Sequence, residues 1–245
     1  MQLRTLIILL CALPLGLMAQ VSDAGIEKSS KLQIPLTFSY FNVGTQAYDF
    51  SNLNRELNTQ GFQSLEENLP MFGIGIGGFH KRHWFAGDFN MHIGTAQKDS
   101  SGNRYVNLDA FAMHFRYGYD ILHHRNFQII PYAGVSGNFV YMSTGNYQDS
   151  VSQFLQAPSV HRNIWKSLFT VQPGLQVQYA MYGRKKAAEL PAMVIGARLG
   201  YDVTLAQDGW RQLPNFKLQG PDLETGLNFM VQVAFHIGDG SEKED

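Results

Sequence analysis

Apolar and polar side chains alternate with a period of two along eight segments of the chain. The last segment, residues 227–237, reads LNFMVQVAFHI, so every odd position is apolar while the even positions are Asn, Met, Gln, Ala and His. Because successive side chains of a β-strand point to opposite faces, each segment would present one wholly apolar face. The other segments are residues 32–41, 71–79, 84–93, 105–119, 127–141, 165–181 and 193–205.

The polarity of the two faces distinguishes a membrane barrel from a soluble β-protein. Charged residues make up only 16% of the chain and stay off the apolar faces, and the second faces consist mainly of Gly, Ala, Ser, Asn and Gln. Soluble sandwiches have shorter strands, of about five or six residues, and a strongly polar outer face. The pattern therefore predicts a barrel whose exterior meets lipid and whose lumen is polar. A soluble β-sandwich or a lipocalin-like barrel is the alternative.

The lengths of the connections predict the topology. Residues 43–70, 95–104, 143–163 and 206–221 form long connections, and they alternate with the short connections 80–83, 120–125 and 182–190. Long loops outside and short turns inside are typical of outer-membrane barrels. The prediction is an all-β fold: an eight-stranded antiparallel transmembrane β-barrel with both termini in the periplasm.

The first long connection contains a short helical pattern over residues 49–60. Leu53 and Leu57 are four residues apart, and Gly61 follows where a helix C-cap would lie. The prediction is a short helix in the first outer loop whose apolar stripe covers the barrel mouth. A gating or partner-binding surface is the alternative interpretation of the same stripe.

The ends of the chain carry processing signals. Residues 1–20 are predicted to be a signal peptide, with Arg4 ahead of an apolar run and Ala19 at the cleavage position. The chain's one cysteine, Cys11, lies in that leader, which argues against disulfides and thiol chemistry in the mature protein. Residues 21–238 are the predicted barrel domain, and 239–245 form an acidic tail. A net charge of −1 without a basic stripe argues against a nucleic-acid partner.

Charged and imidazole side chains on the polar faces are predicted to form a network in the lumen. An eight-stranded barrel is filled by its own side chains, and buried charges must be paired. The prediction is therefore a plugged polar lumen, with a narrow channel for small solutes as the alternative. The predicted network residues are Asp88, His92, His114, Arg116, Lys166, Arg198, Asp202 and His236.

Aromatic residues near the segment ends are predicted to lie at the two membrane interfaces, which amphipathic rings favour. Tyr40, Tyr141 and Trp165 are assigned to the outer interface. Tyr117, Tyr119, Tyr179 and Phe235 are assigned to the inner interface. A proline within a closed sheet removes a ladder hydrogen bond, so a bulge is expected near Pro173 and Gly174.

Two chemical alternatives remain open at this stage. A lipid A-modifying enzyme would need a nucleophile, a base and an orienting carboxylate, for which His92, His161 and Ser143 are candidates. The histidines of residues 80–83 and 123–124 could form a metal site across the periplasmic rim. Basic turns lying against anionic headgroups explain that rim equally well. No cofactor is predicted.

The leader, the eight alternating segments and the final strand LNFMVQVAFHI resemble the small outer-membrane β-barrel proteins of Gram-negative bacteria, the OmpA-like and porin-family barrel domains. The resemblance covers the predicted mature chain and implies location in the cell outer membrane. It also implies that Phe235 acts as the terminal aromatic signal for insertion. It fixes no activity, because such barrels act as anchors, adhesins, narrow channels or lipid enzymes. Outer-membrane lipids are the expected partners, with periplasmic or surface proteins as further candidates.

Overall fold

The computed structural model describes residues 36–94, 96–122, 124, 126–146, 162–182, 191–212 and 216–236. One helix, α1 (Ser51–Thr59), and twelve strands lie in these ranges. The long strands are β1 (Leu36–Asp49), β2 (Asn68–His80), β3 (His83–His92), β5 (Arg104–Tyr119), β6 (Phe127–Asn146), β7 (Arg162–Tyr182), β8 (Pro191–Tyr201) and β12 (Glu224–His236). The short strands are β4 (Gln97–Lys98), β9 (Val203–Gln207), β10 (Trp210–Gln212) and β11 (Phe216–Leu218).

The eight long strands close into an antiparallel barrel, as the alternation predicts. Each pairs with its neighbour in the order β1, β2, β3, β5, β6, β7, β8, β12, and β12 pairs back onto β1. Following register partners once around the barrel from Val177 returns to β7 at Ser167, ten residues away. This stagger means that the strands are tilted, as closure of a barrel requires.

The barrel has two unlike ends. At the end that we call the turn end, β2 and β3 are joined by a tight turn in which Lys81 has a φ of 58°. The opposite end, the loop end, carries α1 and the hairpin formed by β10 and β11. The predicted first strand ends at residue 41, whereas β1 continues to Asp49, so the strand reaches well past the middle of the barrel. The predicted leader, residues 1–20, and the acidic tail, 239–245, lie outside the described residues.

The sheet is irregular near Pro173, but the irregularity lies in the neighbouring strand and not at the predicted position. The register of β6 with β7 runs unbroken through Ala133 and Pro173, so the bulge expected at Pro173 and Gly174 is absent from this pairing. Instead, the neighbouring strand is interrupted at Asp202, between β8 and β9. Gln172 and Pro173 have no register partner in β8 or β9, and a proline has no N–H to donate to such a ladder.

The outward face of the barrel is a belt of exposed apolar side chains. Phe41 is 63% exposed, Ile76 62% and Phe115 62%, although they lie in the middle of well-paired strands. The belt continues on the remaining long strands through Phe85, Val135, Leu175, Ile195, Leu199, Val231 and Phe235. So large an exposed apolar surface marks contact with a membrane or another apolar phase.

The interior is divided into layers. Near the turn end, a buried apolar layer contains Phe38, Tyr40, Phe79, Trp84, Ala86, Ile130, Tyr132, Ala180, Val194 and Ala234. Near the loop end, a second layer contains Tyr48, Phe50, Leu53, Leu57, Leu65, Leu69, Val106, Leu108, Ala110, Val140, Met142, Leu168, Trp210 and Leu223. Buried polar side chains, among them Asp88, Arg116 and Arg198, lie between these turn-end and loop-end layers.

Helix α1 contributes to the loop-end layer through Leu53 and Leu57, which are both buried. It ends where sequence predicts, because Gly61 has a φ of +82° and donates its N–H to the carbonyl of Asn58 (3.0 Å). The left-handed conformation at this position favours glycine. The described residues contain no candidate transmembrane helix.

Candidate functional site

The centre of the lumen is organised around the carboxylate of Asp88. Strand alternation points Asp88 inward from β3, and its Oδ2 atom contacts Arg116 and accepts hydrogen bonds from Tyr40 (2.9 Å) and Arg198 (3.3 Å). Its Oδ1 atom lies 2.7 Å from the amide nitrogen of Asn90 and 3.0 Å from His114 Nδ1. We call these six residues together with Asp202, Gln172 and Asn228 the polar centre.

Asp202 is connected to this cluster through amide side chains. Gln172 donates from Nε2 to Asp202 Oδ1 (2.9 Å) and accepts from Arg116 Nε. Asn228 donates to the other carboxylate oxygen of Asp202 (3.0 Å). Two arginines therefore face two carboxylates, which balances the formal charge and compensates part of the cost of burying them.

His92 and Lys166, two further predicted network residues, lie apart from the polar centre. His92 is buried nearer the loop end, where its Nδ1 atom is 2.8 Å from the hydroxyl of Tyr48. Lys166 donates to the carbonyl of Pro221 (3.0 Å) and lies 3.2 Å from Asp222 Oδ1. The side chain of His236 lies outside the described part of the structure, so its place in the lumen stays a prediction.

Sequence reasoning missed Tyr40, Asn90, Gln172 and Asn228 as members of the polar centre. Their inward positions follow from the same alternation that places Asp88 in the lumen, but their side chains are neutral, so a pattern of charges does not reveal them. The polar centre also contains unsatisfied donors: among the described residues, Arg116 Nη2 and Arg198 Nε and Nη1 have no protein acceptor. Such buried donors are suitable positions for internal water.

The predicted interface position of Tyr40 is wrong. It was expected at the outer membrane interface, but it is 3% exposed and belongs to the turn-end layer inside the barrel. Phe41, its neighbour, takes the outward position. Because adjacent residues of a strand face opposite sides, the two rings could not both lie on the exterior.

The other assigned aromatics point outward. Tyr141 and Trp165 are cross-strand partners near the loop end, and Arg211 lies over the Trp165 ring at 5.3 Å. Near the turn end, His83 packs against Tyr117 and Tyr119, with ring centroids 5.9 and 5.4 Å away. Tyr179 and Phe235 are 49% and 46% exposed, on the same end of the barrel.

The described candidates for enzyme chemistry, His92 and Ser143, are not brought together. His92 points into the lumen, whereas Ser143 lies on the outward face of β6, so the barrel wall separates them. His161 and His123 lie outside the described residues. Within the described ranges, no group of three or more His, Cys, Asp or Glu residues could hold a metal ion.

Two carboxylates beyond the apolar belt, at the loop end, have lowered pKa values. The Asp49 pKa is lowered because the carboxylate accepts hydrogen bonds from the Ser51 hydroxyl and backbone N–H. The pKa of Asp99 lies well below its usual range because the carboxylate accepts from the Arg104 backbone N–H (3.0 Å) and from Arg104 Nε (2.9 Å). Both groups fix turns rather than a reactive site.

No family model and no curated protein sequence matches the chain. Among solved structures, a major outer membrane protein from Thermus thermophilus is similar with a TM-score of 0.52 and 12% identity, over 83% of this chain and 99% of that one. Ail, the attachment invasion locus protein of Yersinia pestis, is similar with a TM-score of 0.44 and 12% identity, over 83% and 98% of the two chains. Neisserial surface protein A gives a TM-score of 0.40 and 11% identity, over 82% and 97%.

The similarity to the Thermus thermophilus protein, at 12% identity, supports the fold, and the apolar belt is the surface that a membrane barrel turns toward lipid. The chain therefore has the fold of the small outer-membrane β-barrel proteins, with an apolar belt on its outward face.

Proposed function

We propose that the protein is a non-enzymatic anchor in the outer membrane whose lumen is closed to solutes and whose loop end is presented at the cell surface for binding. The long connections belong at the cell surface and the tight turns in the periplasm, because outer-membrane barrels are built in this way. Both termini are then periplasmic. Partners would be outer-membrane lipids and, at the rims, periplasmic or surface proteins.

The observation that carries the closed lumen is the order of the layers inside the barrel. The polar centre lies between two buried apolar layers, and a hydrated solute would have to pass both. Ile130 and Trp84 block the turn-end side, where they are 0% and 3% exposed. Phe50 and Trp210 block the loop-end side, where they are 0% and 2% exposed. Moving ions through such layers is costly because charges are strongly disfavoured in apolar surroundings.

The loop end offers the surface for binding. Helix α1 exposes its polar side, including Asn52 and Arg55, while its apolar side is buried against the barrel. At the same end of the barrel, β11 is an exposed strand in which Phe216 is 66% exposed. Rigid strands that carry an exposed rim are a suitable support for binding residues.

Conductance across a planar bilayer tests the closed lumen. Purified protein inserted into the bilayer should give no reproducible current steps in neutral salt. Repeated steps of constant size would overturn the closed lumen and favour the narrow channel. A double substitution, Phe50→Ala with Trp210→Ala, is the positive control, because removing both rings from the loop-end layer should increase ion leakage.

Two further measurements test the other parts of the proposal. Mass spectrometry of lipid A from cells with and without the protein should give identical acyl patterns, and a change would favour the enzyme.

A membrane-impermeant label on a cysteine placed at Asn52 should react on intact cells. Labelling only after cells are opened would reverse the proposed orientation.

A further inference from the structure

A row of amide side chains crosses the inner wall of the barrel. Gln232 on β12 is the register partner of Asn42 on β1. Asn42 in turn pairs with Gly73 on β2, and Gly73 pairs with Asn90 on β3. The amides of Gln232, Asn42 and Asn90 are 3%, 1% and 0% exposed, and we call these three residues the amide row. Its member Asn90 also belongs to the polar centre, so the row and the centre are continuous.

The hydrogen bonds of the amide row are incomplete. Within the part of the chain that the structure describes, Asn42 has no partner at either end of its amide, and the side-chain oxygens of Asn90 and Gln232 have none. The amide nitrogen of Asn90 is already used, since it lies 2.7 Å from Asp88 Oδ1 and 3.0 Å from His114 Nδ1. Buried polar groups without partners are costly, and native proteins contain few of them. The row therefore requires a further hydrogen-bond donor.

Two of the unpartnered oxygens converge on the inward side of Gly73. A Cβ atom built on Gly73 would lie 2.1 Å from Asn90 Oδ1 and 2.7 Å from Asn42 Oδ1, so the two oxygens are no further apart than the sum of these distances. Both atoms are acceptors, and they repel each other unless a group that donates two hydrogen bonds lies between them. A bridging water molecule donates one hydrogen bond to each oxygen.

The charges around the row favour water over an ion. A cation would also be attracted by two amide oxygens, but Arg116 and Arg198 already place two positive charges on Asp88, the carboxylate that Asn90 contacts. A third cation would add buried positive charge without a matching carboxylate, which is costly. An anion is disfavoured because the converging atoms are oxygens with partial negative charge. Water brings no net charge.

Unpartnered donors lie in the same cluster. Arg116 Nη2 and Arg198 Nε and Nη1 have no acceptor among the described residues, and both arginines contact Asp88. Because water both donates and accepts, connected molecules can satisfy the amide oxygens at one end and the guanidinium N–H groups at the other. Buried waters in proteins typically make about three hydrogen bonds each, which this set of donors and acceptors can supply.

We propose that the lumen holds a cluster of internal water molecules, one of which bridges Asn42 and Asn90 in front of Gly73. The turn-end and loop-end layers separate this cluster from bulk water, so its molecules exchange only when a layer opens. The bridge goes beyond the proposed anchor role, because it assigns a bound ligand to the barrel interior whether or not the loop end binds a partner.

NMR of the isotope-labelled full protein in detergent micelles tests the bridge. Cross-relaxation between water and the side-chain amide protons of Asn42 and Asn90 should have the sign that marks a bound water. Asn54 is the reference within the same protein, because its buried amide is paired at both ends with the backbone of Leu65 (3.1 and 2.7 Å). Asn54 should give no bound-water signal.

A matched pair of variants locates the water. Asn42→Leu removes both polar ends of the amide with little change in side-chain size, so it should weaken the water signal at Asn90 at least fivefold. Thr45→Val is the control, because Thr45 is an exposed outward residue of the same strand. It should leave the signal at Asn90 within twofold of the wild-type value.

Three results would overturn the bridge. Absence of a bound-water signal at Asn42 and Asn90 in the wild-type protein would mean that the two amides bond directly. An unchanged signal at Asn90 in Asn42→Leu would mean that transfer from the hydroxyl of Tyr40, which is bonded to Asp88, explains it. Amide shifts at Asn90 that follow the potassium concentration would assign a cation instead.

Folding and closure are read out separately. A heat-modifiability gel reports whether each variant has folded, and if Asn42→Leu does not fold, the comparison of Asn42 with Asn54 in the wild-type protein decides the result. Conductance steps in the planar bilayer would refute the closed lumen of the proposed function and would leave the bridge to the NMR result.

Discussion

The carboxylate of Asp88 contacts more side chains than any other described group of the polar centre. Its two oxygens are shared by Arg116, Arg198, Tyr40, Asn90 and His114, which come from strands β1, β3, β5 and β8. The carboxylate therefore links opposite walls of the barrel. Removing its charge would leave two buried guanidinium groups with one carboxylate, Asp202, between them.

Substitution of Asp88 should destabilise the barrel strongly. We expect Asp88→Ala to lower the free energy of unfolding by about 3–5 kcal/mol, because it leaves buried cations uncompensated. Urea unfolding in phosphocholine vesicles measures this loss. The control is Asp222→Ala, which removes the exposed partner of Lys166 and should cost less than about 1 kcal/mol. Similar losses for the two variants would contradict the central role of Asp88.

The turn held by Asp99 gives a prediction about pH. The lowered pKa means that the ionised carboxylate stabilises the folded turn, and this contribution is lost only when pH falls through the folded-state value. The turn should therefore be unchanged between pH 8 and pH 5. The NMR amide shift of Arg104 should be flat over that range, and Asp99→Asn should move it at every pH. A midpoint above pH 5 would contradict the hydrogen-bond assignment.

At the residue scale, sequence identified the charged members of the polar centre and missed their neutral partners. Alternation fixes the face of each side chain, so Asp88, Arg116 and Arg198 could be placed inside. Which inward residues contact each other depends on the stagger around the barrel, and no single strand contains that information. The aromatic character of Tyr40 favours a membrane interface, but its alternation with the outward Phe41 places its ring inside the barrel.

Strand β2 fits the barrel through its inward glycines. A Cβ atom on Gly75 would lie 2.6 Å from the hydroxyl oxygen of Tyr40, whose ring fills the space over that strand. The same relation recurs on the far wall, where a Cβ on Gly200 would lie 2.6 Å from the hydroxyl of Tyr132. Glycines on these inward faces therefore make room for the two tyrosines of the turn-end layer.

Alanine at Gly75 should be costly even though it adds a single methyl group. We expect Gly75→Ala to destabilise the barrel by about 1–3 kcal/mol, because the Tyr40 ring is held by its hydrogen bond to Asp88 and cannot move aside freely. Gly87→Ala is the matched control on β3, since its Cβ would meet Phe115 at an ordinary 3.6 Å. It should be neutral or stabilising by up to about 1 kcal/mol. Equal effects in urea unfolding would show that the packing argument is wrong.

At the element scale, sequence located the strands better than their ends. Beyond residue 41 the alternation on β1 weakens through Gly44, Thr45 and Gln46, yet pairing with β2 and β12 continues there. Hydrogen bonds to neighbouring strands extend a strand whether or not its side chains alternate. The short hairpin of β10 and β11 falls within a predicted connection for the same reason, because it is formed by pairing onto β7.

On the scale of the whole molecule, the fold resembles a soluble protein with its surface reversed. The exterior is apolar, and the interior has a charged centre between two apolar layers. Sequence predicted this reversal because the uncharged stripe recurs on every long strand. It did not predict the layers, since residues such as Trp210 and Leu223 enter the loop-end layer from connections without a regular pattern.

The central claim, that the apolar belt faces hydrocarbon, is tested most directly by spin labels on single cysteines in the protein reconstituted into lipid vesicles. The only cysteine of the chain, Cys11, is replaced by serine so that each label is unique. A label at Ile74, which is 58% exposed, should collide often with oxygen and rarely with a water-soluble nickel complex. A label at the exposed Asn52 should do the reverse. If the label at Ile74 were as accessible to nickel as the one at Asn52, the belt would face water and the account would be contradicted.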